Sequence, residues 1–273
     1  MKIIYLLFLF FVQFVFGQNY SITYKYTFVP DSTNVENKLQ DILVLKTSAE
    51  KSEFFSLEKF QADSVRLSEK NNGTYEVKPS KKILITERII KYPLGNIKQI
   101  TSIGTQLFQI KDDRKINWEI QPEFATILNY KVQKATTVFG GRKWIAWFAP
   151  EIPIQDGPYK FRGLPGLILK VEDSQQYHIF MMSSFEKSTQ SFVYPESETY
   201  DSLPELDYRQ YRKKYLQFRA DPVADLVGKI PDQPDQYGNM KSGAQILNEF
   251  RQKEIKRLKS DNNIIEIDLL KNQ

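Results

Sequence analysis

The chain has 273 residues, one histidine and no cysteine, so disulfides and a lipidated cysteine are not expected, and nitrogen–sulfur sites for transition metals are nearly excluded. Its 38 basic and 33 acidic side chains leave a formal charge of +5, mild and dispersed, which gives no support to nucleic-acid binding. A chain of this length buries a sizeable core without staples, and 15 Tyr with 19 Phe suit strands better than helices.

Lys2 precedes an apolar run from Ile3 to Phe16 broken only by Gln13, and Gly17 supplies a small residue where the run ends. This is the pattern of a cleavable export signal over residues 1–17, too short to span a bilayer. It predicts a periplasmic or secreted protein starting at Gln18, with no transmembrane helix after cleavage. Tyr20, Ile22, Tyr24, Tyr26 and Phe28 then alternate with polar residues, the period of a half-buried strand, which Pro30 closes. Further short strands are predicted over residues 42–46, 53–60, 74–77, 82–92, 97–103, 106–111 and 116–120, separated by turn residues. Residues 130–139 and 142–148 flank Gly140-Gly141, a pair suited to a two-residue primed hairpin turn. A second hairpin joins 167–171 to 177–183 across a polar turn. Such spacing predicts an antiparallel meander or half-barrel rather than βαβ units.

The last third changes character. Ser202-Leu203-Pro204-Glu205 has the form of a capping box, and Tyr208, Tyr211, Tyr215 and Phe218 follow at helical spacing. Ser242 and Gln245 form a second capping box before a helix reaching about Lys259, and residues 263–269 read as a closing strand. The expected protein is mainly β, a curved antiparallel sheet with two peripheral α-helices in its C-terminal third. The signal would occupy 1–17, the β domain 18–188 and a helical extension packed on the sheet 189–273.

Residues 144–168 hold two of the three tryptophans with four prolines and three glycines. Trp144 and Phe148 point to one face of a strand and Trp147 to the other, so both faces are covered or one borders a cavity. Pro150 and Pro153 remove amide donors and stiffen the loop that follows. Leu164-Pro165-Gly166-Leu167 suits a type II turn, with Gly166 taking the positive φ. Gly163-Leu164-Pro165-Gly166-Leu167-Ile168 is, letter for letter, the motif of the GLPGLI family of exported Bacteroidota proteins. The flanking Trp147-Phe148, Pro150-Glu151-Ile152-Pro153, Gly157-Pro158-Tyr159 and Phe161 also resemble that family's signature. The resemblance is specific over about residues 140–173 and does not extend past Ser188. It implies an exported protein and carries no catalytic role to any residue.

Catalytic patterns are sparse. His178 lies in a strand without a nucleophile motif and reads as structural. Glu151 and Asp156 flank the signature loop, where a carboxylate pair would suit glycoside hydrolysis; loop-capping carboxylates are the simpler reading. No residue pattern calls for a metal or cofactor. The function expected is a non-enzymatic envelope protein that binds or carries an apolar ligand, a peptide or an outer-membrane partner. Trp144, Trp147, Phe148, Tyr159 and Phe161 are its candidate contacts, and a carboxylate-dependent hydrolase is the alternative.

Overall fold

A computed structural model describes residues 19–72, 83–93, 95–189, 191–195, 202–235 and 237–271. The expected signal segment and the strand expected over 74–77 lie outside the described residues.

The protein is mainly β. Strands β1 (Asn19–Phe28), β2 (Leu39–Thr47), β3 (Ser52–Ser56), β4 (Arg88–Lys91), β5 (Ile97–Ile103) and β6 (Gln106–Asp112) form one meander. A second comprises β7 (Glu119–Ile127), β8 (Tyr130–Phe139), β9 (Arg142–Ala149), β10 (Leu167–Asp173) and β11 (His178–Ser188). Antiparallel pairing of β1 with β11, Tyr26 opposite Phe180, fuses the two meanders into one sheet. The sheet is open, ending at β7 on one side and at β12 (Glu205–Asp207) on the other. Register shifts at Thr23/Tyr24 and Ile168/Lys170 mark bulges, which bend the strands they interrupt.

The alternation in β1 places Ile22, Tyr24 and Tyr26 in the main core with Leu43, Leu45, Phe54, Phe180 and the even-numbered residues of β9, Trp144, Ala146 and Phe148. Gly140 and Gly141 have φ of +60° and +79° and turn β8 into β9 as expected. Among the described residues, three helices accompany the sheet: α1 (Leu57–Asn72), α2 (Tyr208–Ala220) and α3 (Gly243–Lys259). Tyr211 of α2 packs with Ile103, Phe108, Ile110 and Leu269 in a second cluster, which docks the helix on the sheet. The Ser242–Gln245 capping box opens α3. No helix among the described residues is long and apolar enough to cross a membrane.

Several local expectations are corrected. The strand expected over 53–60 stops at Ser56, whose hydroxyl accepts the Lys59 amide at 3.3 Å, and α1 begins at once. The capping box expected at Ser202 is absent because Glu205 is engaged elsewhere: its carboxylate accepts Gln109 Nε2 at 2.7 Å, while residues 205–207 pair with β6. That pairing is parallel, so the sheet is not wholly antiparallel. Asp207 and Gln210 supply the cap of α2 instead. The closing strand expected over 263–269 is an extended arm followed by a 3₁₀ turn at Ile267–Leu270. Its Ile264 and Ile265 carbonyls accept the Arg142 guanidinium rather than a strand ladder.

The type II turn is also replaced. Leu167 N–H goes to the Ile152 carbonyl at 3.1 Å, and Gly166 N–H closes a tighter turn on the Leu164 carbonyl at 2.8 Å. Gly166 has φ +153°, and a Cβ built on it would lie 2.2 Å from the Ala149 carbonyl oxygen. Glycine is needed here mainly for close backbone approach.

Candidate functional site

A cavity of about 200 Å³ lies between the inner face of the sheet and the C-terminal arm. β1 contributes Tyr26 and Phe28, β5 contributes Gln99 and Thr101, and β11 contributes His178 and Phe180. Leu84, Ile85 and Glu87 border it just before β4, α2 adds Tyr211 and Tyr215, and the arm adds Asp261, Asn263 and Glu266.

His178 ties this wall together. Its Nε2 is 2.8 Å from the Asn263 carbonyl, which only accepts, so Nε2 carries the proton. Its Nδ1 then accepts the Tyr26 hydroxyl at 2.7 Å. Burial, with the Arg142 charge nearby, lowers its pKa to about 3, so the ring is neutral at ordinary pH. A histidine with both nitrogens satisfied between β1 and the arm is a structural tie.

Below the cavity wall lies a buried charge network. Lys160 is wholly buried and donates to Asp112 Oδ2 at 2.8 Å and to Glu266 Oε1 at 2.5 Å. Arg114 bridges the same carboxylates at 2.6 and 2.5 Å and stacks over Tyr208, 3.3 Å from the ring centre. The Tyr159 hydroxyl donates to Glu266 Oε1 at 2.5 Å. Burial pushes the carboxyls of Asp112 and Glu266 up, but Lys160 and Arg114 together outweigh it and hold both below their ordinary values.

The signature segment meets this region from the other side. Buried Lys91 donates to the Gly157 carbonyl at 2.6 Å and pairs with Asp156. The Tyr24 hydroxyl donates to the Ile168 carbonyl at 2.7 Å, and Trp118 Nε1 to the Arg162 carbonyl at 2.9 Å. Gly157 is buried with its Cα against Ile168, where a Cβ would meet the side chain at 2.8 Å. Pro158 is buried, while Pro150, Pro153, Gly163 and Pro165 are exposed.

Among the candidate contacts, Trp144, Phe148 and Phe161 are buried core, Trp147 is half-buried against it, and Tyr159 lines the cavity. Leu164, Leu167 and Ile168 are core as well. Glu151 is exposed and accepts the Lys131 amide at 3.2 Å, and the Asp156 carboxylate is paired with Lys91. Pro153, Asp156, Arg162 and Gly163 line a separate open groove of about 730 Å³ with Lys51, Lys91 and Tyr92. Among the described residues, no group of three or more His, Asp or Glu is placed to hold a metal ion.

Sequence reasoning passed over Glu87, Asp112, Arg114, Lys160, Asp261 and Glu266. Lys160 offered one signal, a lone charge between Tyr159 and Phe161 inside an apolar segment.

Residues 140–170 match a family described as "Protein of unknown function (Porph_ging)". This window runs from the Gly140-Gly141 turn through β9 to the start of β10 and contains the whole signature loop. No curated protein matches the chain. Two solved structures, of PNGF-II in the P21 and C2 space groups, are similar at 18% identity over 74% of this chain, with TM-scores of 0.51 and 0.50. The chain spans about a third of their length, 34% and 33%. At this identity the likeness is one of fold.

Proposed function

We propose that the chain is a non-enzymatic binding module whose ligand, small and largely apolar, lies in the cavity between the sheet and the C-terminal arm. The cavity carries this reading: it is concave and lined by aromatic and aliphatic side chains with a few convergent polar groups. Its volume, about 200 Å³, falls below the roughly 300–1,000 Å³ usual for drug-sized ligands, which favours a compact ligand over a lipid chain. Export through the apolar segment at residues 1–17 belongs to the same reading, as does membership of the GLPGLI group, whose six-residue motif falls inside the matched window. Trp144 then acts by backing the wall, its ring centre 6.3 Å from that of His178, and Tyr159 by reaching the cavity.

A second reading, docking of an outer-membrane partner, is favoured by one observation, the open groove lined by signature residues Pro153, Asp156 and Gly163. The hydrolase alternative draws no support from Glu151 and Asp156, since Asp156 is already neutralised by Lys91.

The cavity reading is tested by thermal-shift screening of fragments against the wild type and Ile85→Trp. Ile85 is half-buried at the cavity wall, so a larger side chain there fills the cavity at modest cost. Fragments that raise the melting temperature of the wild type and not of Ile85→Trp are expected. Equal shifts in both proteins would transfer the site to the groove.

A further inference from the structure

Resting on that reading, we propose that the cavity takes a protonated amine on a compact apolar body, held by the carboxylates of Glu87 and Asp261, the side-chain oxygen of Gln99 and an aromatic wall. The first observation is an unmet hydrogen bond. Gln99 is 4% exposed, lines the cavity, and its Oε1 has no hydrogen-bond partner among the described residues. A buried acceptor without a donor is costly, and a ligand N–H in the cavity satisfies it.

The second observation is charge. Among the described residues, the wall carries three acidic side chains, Glu87, Asp261 and Glu266, and no lysine or arginine. Glu266 is committed to Lys160 and Arg114. The Glu87 carboxylate accepts the Thr86 main-chain N–H at 3.2 Å and, among the described residues, forms no ion pair. Arg219 reaches the main-chain oxygen of Asp261, at 3.1 Å, rather than its carboxylate. Burial raises both carboxyls above their ordinary values; Asp261 adds to the effect on Glu87 and the Lys160 charge partly offsets it, while Arg219 and Arg257 partly offset it at Asp261. Two half-buried carboxyls that, among the described residues, form no ion pair favour a cation.

The third observation is the shape of the remaining surface. Tyr26, Phe54, Phe180, Tyr211 and Tyr215 face the same space, and aromatic walls favour organic cations through their ring quadrupoles. A bare metal ion is a poor match, because calcium needs six to eight oxygens and this wall is mostly ring and aliphatic carbon.

The test compares 2-phenylethylamine, a cation at neutral pH, with 2-phenylethanol, its uncharged analogue, by calorimetric titration of the full chain. The amine is expected to bind at least about tenfold tighter, equal to about 1.4 kcal/mol, with Glu87→Gln and Asp261→Asn each bringing the ratio towards one. Both substitutions remove a desolvated charge without breaking an ion pair, so the variants should melt at or above the wild-type temperature; if one fails to fold, the other decides. Equal binding of amine and alcohol overturns the cation proposal and leaves the cavity reading intact. An amine preference unchanged in both variants places the amine elsewhere and overturns it too. Binding of neither probe also overturns it, and if Ile85-sensitive fragments are likewise missing, the cavity reading falls with it.

Discussion

Lys160→Met is expected to lower the unfolding free energy by about 3–5 kcal/mol, the cost of breaking a buried ion pair by removing one partner. Lys160 is wholly buried between Asp112 and Glu266, so methionine preserves its volume and deletes the charge. Arg114 still bridges the two carboxylates, but it is partly exposed and cannot enter the space of Lys160. Adding Glu266→Gln to Lys160→Met should recover part of the loss, because an uncompensated charge leaves with it. The acid response gives an independent check. The two carboxyls have folded pKa values below their unfolded ones, so their stabilisation is present above the unfolded value near 4 and is lost as pH falls through the depressed folded values. In Lys160→Met that depression shrinks, and the acid slope of stability should flatten. Urea unfolding of the three proteins at neutral pH and in acid measures both effects.

Gly166→Ala is expected to cost about 3–5 kcal/mol, adding strain at a disfavoured φ to overpacking. The backbone has φ +153° there, and a Cβ would meet the Ala149 oxygen, the Ala149 carbonyl carbon and Pro150 Cα at 2.2, 2.6 and 2.9 Å. All three obstacles are backbone, so no side chain can swing away. Gly166→Asn should fare no better than alanine, since tolerance of positive φ does not remove the clash. Gly163 supplies the control: its φ is +90° but nothing lies within 4 Å of a built Cβ, so Gly163→Ala should cost only about 1–2 kcal/mol. Pro165→Ala, at an exposed position, should cost about 1 kcal/mol or less. Denaturation of the four variants ranks them directly, and a Gly166→Ala protein as stable as Gly163→Ala would contradict the close approach.

What was legible in the chain was what its near neighbours decide. The alternation from Tyr20 to Phe28, the Gly140-Gly141 hairpin and the Ser242–Gln245 cap each depend on residues within one strand or turn, and each forms as read. The helix at 57–72 is hidden because Leu57 and Phe60 continue the apolar content of Phe54 and Phe55 past Ser56, where the period changes. Glu205 was misread as a capping residue because its partner, Gln109, is 96 positions away. The same holds for the site. Lys160 meets Asp112 across 48 positions and Glu266 across 106, and Glu87 and Asp261 share a wall only because the arm after α3 folds back over the sheet. The signature motif was visible at once, yet most of its residues serve the core: Leu164, Leu167 and Ile168 pack there, and Gly166 lets two backbones touch.

The most direct test of the cavity as the binding site is a methyl NMR titration of the protein with the fragments found by thermal shift. Leu43, Ile85, Ile89 and Leu269 line the cavity, whereas Ile154 lines the signature groove. The predicted result is a set of shifts centred on the first four methyl-bearing residues, saturating together and leaving Ile154 unmoved. Shifts confined to Ile154, with Ile85, Ile89 and Leu269 unchanged at saturation, would contradict it and make the groove the functional surface.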